Sequence, residues 1–522
     1  MKKNIANYLY LYLFIMILGS FISSCKKDNG GSSSGNGTTQ LSDADSLKYL
    51  MYGTMQVSFV NGGRDTTNAL PTYYWYNDIP KLNPLSSTYD SADILLADMK
   101  NYAINPSTGN PYDRYSFLDK TGAVAEEIQQ GVSGDLGMQV TYATDANGNY
   151  YLFVLYADKN SPAGLVGVTR GWQITAINGS SNISYDGSNG PNVTSVVNAV
   201  YNDPSSSFTF LKPDGTTVTY TLTQAVYNIN PVLFDTVFNV ANQNVGYFVF
   251  NTFSDVYDSS GNPTLTKTEL DRVFSEFEAA NVSSVIVDER YNGGGSVETS
   301  QYIDSLLAPS TVTGKVLYNI YYNDKLTAYA AQNPGFLPGQ VLFNGGGTLN
   351  LNNVFFIGTS STASAAELTI NDLKPYRNVK LVGDTTYGKP VGFFAFSLDD
   401  YSATGQEQHL ADLYAINFET KNANGIGGYF TGLFPDGLAV DYVDVPWGNA
   451  NDDNLVKIFS YLNTGAFGRF APQERMAQDK SLRLSMPSSM PSLRFNGMVD
   501  YKHSRQLKAS INKSISLRKA HK

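Results

Sequence analysis

VFFIGTSSTASAAELTINDLKPYRNVKLVGDTTYGKPVGFF, residues 354–394, is the stretch whose reading decides the fold. It opens on an apolar run, Val354 to Ile357, bounded by Gly358, which reads as a buried strand. A small-residue segment leads into a helical pattern from about Ser364 to Lys374, stopped by Pro375. A second apolar strand, Val379 to Val382, runs into Tyr387-Gly388-Lys389-Pro390. Strand, helix, strand at this length predicts a crossover unit of a parallel sheet. Ser364 then stands at a helix N-terminus just beyond the C-terminal end of a strand. Open α/β sheets hold ligands there, and the helix end offers N–H groups to negative charge. Two plainer readings fit the same residues. Ser364-Ala365-Ala366-Glu367 has the form of a capping box, which serves stability alone in many helices. Lys389 also suits a solvated turn.

The neighbouring motifs favour chemistry. Ser-Thr-Ala-Ser-Ala-Ala-Glu-Leu (361 to 368) followed by Val-Gly-Asp-Thr-Thr-Tyr-Gly-Lys (382 to 389) resembles the catalytic segment of the C-terminal processing peptidases, or tail-specific proteases. With the upstream motifs, the resemblance covers roughly Asp135 to Leu462. It implies that Ser364 is the nucleophile and that Lys389, 25 positions later, is its base. A serine hydroxyl is a weak nucleophile until a neighbouring base takes its proton, and serine–lysine pairs are one variant of that logic. A lysine serves only if its pKa falls from about 10.4 to roughly 7–8, a shift worth about 4 kcal/mol. Lys389, between a glycine and a proline after a buried strand, is placed for such desolvation. The chain has three histidines, His409, His503 and His521, and only His409 lies outside the basic C-terminal stretch. One departure from the family stands out. A Gln usually orients the lysine from four positions on, where this chain has Phe393. Either another group such as Glu367 takes that role, or activity is reduced.

The upstream Val285-Ile286-Val287 strand runs into Asp288-Glu289-Arg290-Tyr291-Asn292-Gly293-Gly294-Gly295. This resembles the family's glycine turn, with Glu289 in place of an apolar residue. The resemblance points to Gly294 or Gly295, together with Ala365, as oxyanion donors; losing one such donor costs roughly 10²–10³ in rate. Upstream again, Thr266 to Ala280 predicts a helix, with Thr266 and Glu269 as its capping box and Leu270, Val273, Phe274 and Phe277 on one face. Gly432-Leu433-Phe434-Pro435-Asp436-Gly437 resembles the family's closing element, and Asn454 to Leu462 predicts a last helix.

At 522 residues the chain is too long for one core. A net charge of −10 argues against nucleic acid as a partner. Residues 1–25 read as a targeting segment: Lys2 and Lys3 precede an apolar run, Tyr8 to Ile22, too short to span a bilayer comfortably. The ending Ile22-Ser23-Ser24-Cys25 resembles the bacterial lipobox, which implies lipidation of Cys25, the chain's one cysteine. Residues 26–40 are then a flexible Gly/Ser/Asn tether. Residues 41–126 carry two helical patterns, Ser46 to Phe59 and Ser91 to Tyr102, and read chiefly as a packing module; Asp113-Arg114-Tyr115-Ser116 resembles the segment closing the family's N-terminal cap. Residues 131–224 read as short strands between turns. There Gly134-Asp135-Leu136-Gly137-Met138 resembles the carboxylate-binding loop of a PDZ domain, implying peptide binding at Leu136, Gly137 and Met138, or else a spacer that never binds free ends. The core spans 230–466. From Arg469 onward 12 Lys+Arg stand against 3 Asp+Glu, so 467–522 is expected to be a basic mobile tail.

The fold class expected is α/β multidomain: a helical N-terminal cap, a PDZ-like β-rich domain and an α+β (crotonase/ClpP-like) serine peptidase core. The function implied is a lipid-anchored serine endopeptidase of the bacterial envelope, without cofactor or metal, acting on polypeptides near C-terminal tails. Its membrane face and oligomeric state stay open. Two alternatives remain: a non-catalytic peptide-binding lipoprotein, which Phe393 favours, and an envelope enzyme using the same serine on a small ester or amide.

Overall fold

The computed structural model describes residues 41–56, 70–145, 147–401, 406–468, 483–484, 495–505 and 507. Cys25, the tether and most of the basic C-terminal stretch lie outside them. No helix among the described residues is long and apolar enough to cross a membrane.

The expected crossover unit is present. The strand Asn353–Gly358 pairs in parallel with Val379–Gly383, and the helix Ala365–Leu373 connects them. The two strands lie inside a six-stranded sheet ordered Gly437–Leu438, Val379–Gly383, Asn353–Gly358, Ser284–Asp288, Gln243–Phe250, Val232–Val240. All its pairings are parallel except the last, between Gln243–Phe250 and Val232–Val240. Parallel strands are covered on both faces, so they read as near-continuous apolar runs. Val354 to Ile357 and Val285 to Val287 are fully buried accordingly.

The helix Leu265–Ala279 buries Leu270, Val273, Phe274 and Phe277 as the periodicity predicts. Its cap differs from the expectation. Thr264 caps the helix by accepting from the Lys267 N–H, whereas Thr266 is buried and shares a hydrogen bond with Ser254 Oγ at 2.6 Å. Glu269 pairs with Arg272 at 3.1 Å. The apolar face sets this helix: each buried Leu, Val or Phe contributes about 1.5–3 kcal/mol, against about 1 for a cap.

A second sheet orders Gly294–Ser296, Gly497–Val499, Val391–Tyr401, Glu407–Asn422, Val316–Tyr322 and Gln340–Leu342, with Phe117–Asp119 pairing onto Glu407–Asn422. Here the basic C-terminal stretch departs from a mobile tail. Residues 495–500 are largely buried and 501–505 form a helical turn on the core. Their apolar side chains Phe495, Met498, Val499, Tyr501 and Leu507 carry them there.

In the first segment the helices Asp43–Gln56 and Ala92–Lys100 share one continuous apolar cluster with the core strands, through Met51, Met55, Leu95 and Met99. Residues 138–223 instead close around their own cluster, which includes Leu152, Ile174, Val196, Phe208 and Phe210. Their antiparallel strands are Met138–Thr144, Tyr150–Ala157, Gln173–Ile177, Ser205–Leu211 and Thr217–Thr223.

Arg170 reaches from this β-rich unit into the core, fully buried. It meets Asp441 Oδ1 at 2.5 Å, the Val445 carbonyl at 2.8 Å and Tyr291 Oη at 2.6 Å. Arg290 bonds the same Asp441 oxygen at 2.8 Å and also pairs with Asp288 and Asp452. Burial opposes ionisation of Asp441, but Arg170 and Arg290 hold its carboxyl at about 2. Elsewhere three buried acids lack a cation. Glu289, Asp304 and Asp372 all have side-chain oxygens without hydrogen-bond partners. Burial pushes each well above the carboxylate range, and Asp304 adds repulsion to both Glu289 and Asp372.

Two stability outcomes follow from these charges. Arg170→Ala strands Asp441 beside one arginine and is expected to lower stability to urea by about 3–5 kcal/mol. Asp441 is depressed from an unfolded value near 3.9, so its contribution is complete above that pH and disappears as pH falls through about 2. The variant's acid-unfolding curve should show that component reduced to what Arg290 alone supports. Glu289→Leu, by contrast, should raise stability at neutral pH by about 1–3 kcal/mol, because it removes a buried carboxyl with no partner. The raised pKa makes the parent lose stability as pH climbs from about 4.3; a variant with the same pH slope as the parent refutes the assignment.

Candidate functional site

Ser364 caps the helix Ala365–Leu373 with φ 60° and ψ −107°, a conformation that a non-glycine residue rarely adopts. Strain of this kind costs about 1–3 kcal/mol and persists only where its surroundings impose it. What imposes it here is Glu367. Its Oε2 accepts the N–H of Ser364 at 2.9 Å and that of Lys389 at 2.8 Å. Its Oε1 accepts the N–H of Gly388 at 2.7 Å and the hydroxyl of Thr386. The carboxylate takes the N-cap N–H, while the Ser364 hydroxyl is fully buried with no hydrogen-bond partner. Burial raises the Glu367 pKa, and its four donors pull the other way.

Lys389 is wholly buried, as expected, but its amine does not bond Ser364. It donates to the Asn496 carbonyl at 2.7 Å, and it stands 3.8 Å from the centre of the Phe393 ring and 5.2 Å from that of Tyr115. Burial pushes the amine well below the usual lysine range; Asp113 and Glu367 draw it back only in part. Phe393, noted as a departure from an orienting Gln, thus forms an aromatic floor under the amine. Glu367 orients the Lys389 backbone rather than its side chain.

The glycine turn lies against the same helix end. Asn292 fixes it: Oδ1 accepts the Gly294 N–H at 2.8 Å, and Nδ2 donates to the Phe250 carbonyl at 2.9 Å. The Ala363 N–H reaches the Asn292 carbonyl at 2.9 Å. Gly294 needs its missing side chain, because a Cβ there would lie 2.8 Å from the Ala365 nitrogen. The Gly294 N–H is committed to Asn292, which leaves Gly295 as the other glycine of the expected pair, in a strand that pairs with Gly497–Val499.

Contacts that sequence reasoning missed hold the lysine loop from outside. Arg114 donates to the carbonyls of Tyr387 at 2.6 Å and Phe430 at 3.2 Å, and Tyr115 Oη to that of Gly388 at 2.5 Å. Leu433 donates to Thr386 Oγ1 at 2.7 Å. Both segments had been singled out as motifs, but only the folded chain brings them to residues 386–389. His409 is elsewhere, half-exposed and paired with Asp399 at 2.9 Å. Around the PDZ-like loop, Leu136, Gly137 and Met138 are buried, and the Gly137 N–H is bonded to Asp135 Oδ1 at 2.6 Å.

Residues 244–426, which hold the glycine turn, Ser364, Glu367 and Lys389, match the model of peptidase family S41. The chloroplastic C-terminal processing peptidase of Tetradesmus obliquus is 24% identical over 318 residues, 58% of this chain and 59% of that protein. The carboxy-terminal processing protease CtpA of Bacillus subtilis is 25% identical over 349 residues, 65% of this chain and 64% of that protein. The chain thus spans about three-fifths of the length of these curated relatives. In fold it is similar to the crystal structure of a candidate S41 protease from Bacteroides fragilis, with a TM-score of 0.58 and 20% identity over 84% of this chain and 99% of that one. Residues 244–426 thus carry a segment similar to peptidase family S41, and the chain as a whole is similar in fold to a protein described as a member of that family.

Proposed function

We propose that this protein is a serine endopeptidase acting on polypeptides, with Ser364 as nucleophile and Lys389 as base. One observation carries the reading: the backbone N–H groups of Ser364 and Lys389 meet on a single oxygen of Glu367. That ties a strained serine at a helix N-terminus to a lysine whose amine is left neutral by burial at a lower pH than a free lysine, and so is available to accept a proton. In the reaction the amine turns from Asn496 to the Ser364 hydroxyl and takes its proton as Oγ attacks the scissile carbonyl carbon. The oxyanion is held by the N–H groups of Gly295 and Ala365. The proton passes to the departing amine, and water, deprotonated by the same lysine, hydrolyses the acyl-enzyme.

The β-rich unit 131–224 would select polypeptide tails, as a PDZ-like module does. Cys25 would anchor the protein by a lipid to a bacterial envelope membrane. A second reading, a peptide-binding lipoprotein without turnover, draws support from Phe393 and from the lysine's bond to Asn496.

Ser364→Ala is expected to reduce degradation of an unstructured polypeptide by at least about 10³-fold. Absence of degradation by the parent, or no change in the variant, overturns the peptidase reading. The rate should rise with pH through the lowered lysine pKa and level off below the free-lysine value of about 10.4. Lys389→Arg, which cannot lose its proton in this range, should abolish that limb.

A further inference from the structure

Residues 495–499 run through the cleft between the Gly294–Ser296 strand and Lys389. Gly497–Val499 pairs in parallel with that strand, Gly294 against Gly497 and Ser296 against Val499. The Gly497 N–H donates to the Gly293 carbonyl at 2.9 Å. Bonding directions alternate along a strand. The Gly294 carbonyl and the Ser296 N–H both bond Phe253, so the Gly295 N–H faces the other way, toward Gly497. The Gly497 carbonyl oxygen lies against Gly294, 2.5 Å from where a Cβ would be, and that point is 2.8 Å from the Ala365 nitrogen. A peptide carbonyl of this chain thus stands beside the two expected oxyanion donors.

The flanking residues are seated as firmly. The Asn496 carbonyl accepts the Lys389 amine. The Phe495 ring packs among Phe117, Phe393 and Tyr414, with centres 5.9, 6.0 and 5.8 Å away. On the other side of Gly497, Met498 and Val499 are fully buried, and the Asp500 N–H bonds the Phe393 carbonyl at 3.0 Å. Beside Phe495 and Asn496 a cavity of about 270 Å³ opens, lined by Arg114, Tyr115, Phe117 and Tyr387. Adding a strand to an exposed edge while side chains fill pockets is a general mode of peptide recognition.

We propose that residues 495–499 are an intramolecular occupant of the substrate groove, which takes extended peptides carrying an aromatic side chain two residues before a glycine carbonyl. Phe393 sets both preferences. Its ring is one wall of the aromatic pocket, and a Cβ at position 497 would lie 2.7 Å from it and 2.3 Å from the Phe495 ring. The same segment occupies the lysine amine, so its departure frees Lys389 for the Ser364 hydroxyl. Turnover of such peptides rests on the peptidase reading; their binding does not.

Binding of a fluorescent peptide of residues 495–500 to the full chain, read by anisotropy, tests this. Phe495→Asp should empty the groove and bind the peptide at least about tenfold more tightly than the parent, since an occupied groove lowers apparent affinity by the fraction left open. The same peptide with alanine in place of its phenylalanine should bind the variant weakly. If Phe495→Asp melts without cooperativity, Gly497→Ala replaces it, and excess peptide should speed amide exchange of residues 495–500 in the parent. Equal binding by parent and folded variants, with unchanged exchange, overturns the proposal. Ser364-dependent degradation that ignores the segment variants also overturns it and leaves the peptidase reading standing. Peptide binding as expected, with no degradation by any form, upholds the groove and sinks the peptidase reading.

Discussion

A single buried carboxylate, that of Glu367, holds the site's geometry. Burying a charge is costly unless donors surround it, and here four donors come from two loops that also meet where the Tyr387 N–H bonds the Thr362 carbonyl at 2.9 Å. One acceptor therefore does two things at once. It keeps Ser364 in a backbone conformation the residue would leave if free, and it fixes the approach of the Gly388–Lys389 chain. The strain at the serine and the desolvation of the acid are offset by the same set of bonds.

Around that fixed point the site is walled by segments distant in sequence. Arg114 and Tyr115 come from the first hundred-odd residues, Leu433 from after the strand Glu407–Asn422, and Phe495 to Val499 from the basic C-terminal stretch. Each meets the lysine loop or the glycine turn through backbone carbonyls or N–H groups. Such contacts tolerate side-chain change but demand that the chain path be correct. Aromatic rings fill what is left, with Phe393 and Tyr115 on two sides of the Lys389 amine. That surrounding explains how a lysine can be both buried and weakly protonated without a carboxylate partner on its amine.

Much of this was legible in the residues alone. The strand–helix–strand unit, the serine at the helix start, Glu367 three positions on and the lysine after the second strand follow from apolar periodicity and from motifs short enough to be local. What sequence missed is what depends on long-range closure. Thr266 looks like a cap, but its burial turns the hydroxyl to Ser254 and leaves capping to Thr264. Ser364-Ala-Ala-Glu367 reads locally as a cap, but its carboxylate also takes the N–H groups of Gly388 and Lys389, which only the folded chain brings there. Residues 495–501 vanish in a stretch whose composition is basic and Ser/Met-rich. Five apolar side chains spread over thirteen residues carry no period that separates them from a tail. Phe393 was visible as a departure, yet its role under the amine shows only once Asn496 and Phe495 are seen beside it.

Arg170 joins the β-rich unit to the core through Asp441, the acid that also neutralises Arg290 next to the glycine turn. Were the β-rich unit to swing away as a rigid body, Arg290 would gain a larger share of Asp441, while Tyr291 would lose its guanidinium neighbour. The residues adjoining Gly293 to Gly295 would then sit in a different electrostatic field, because Tyr291 of the same turn bonds the departing unit's arginine. In this architecture the two bodies are coupled by shared charge, and the currency passed between them is the ionic environment of a single turn.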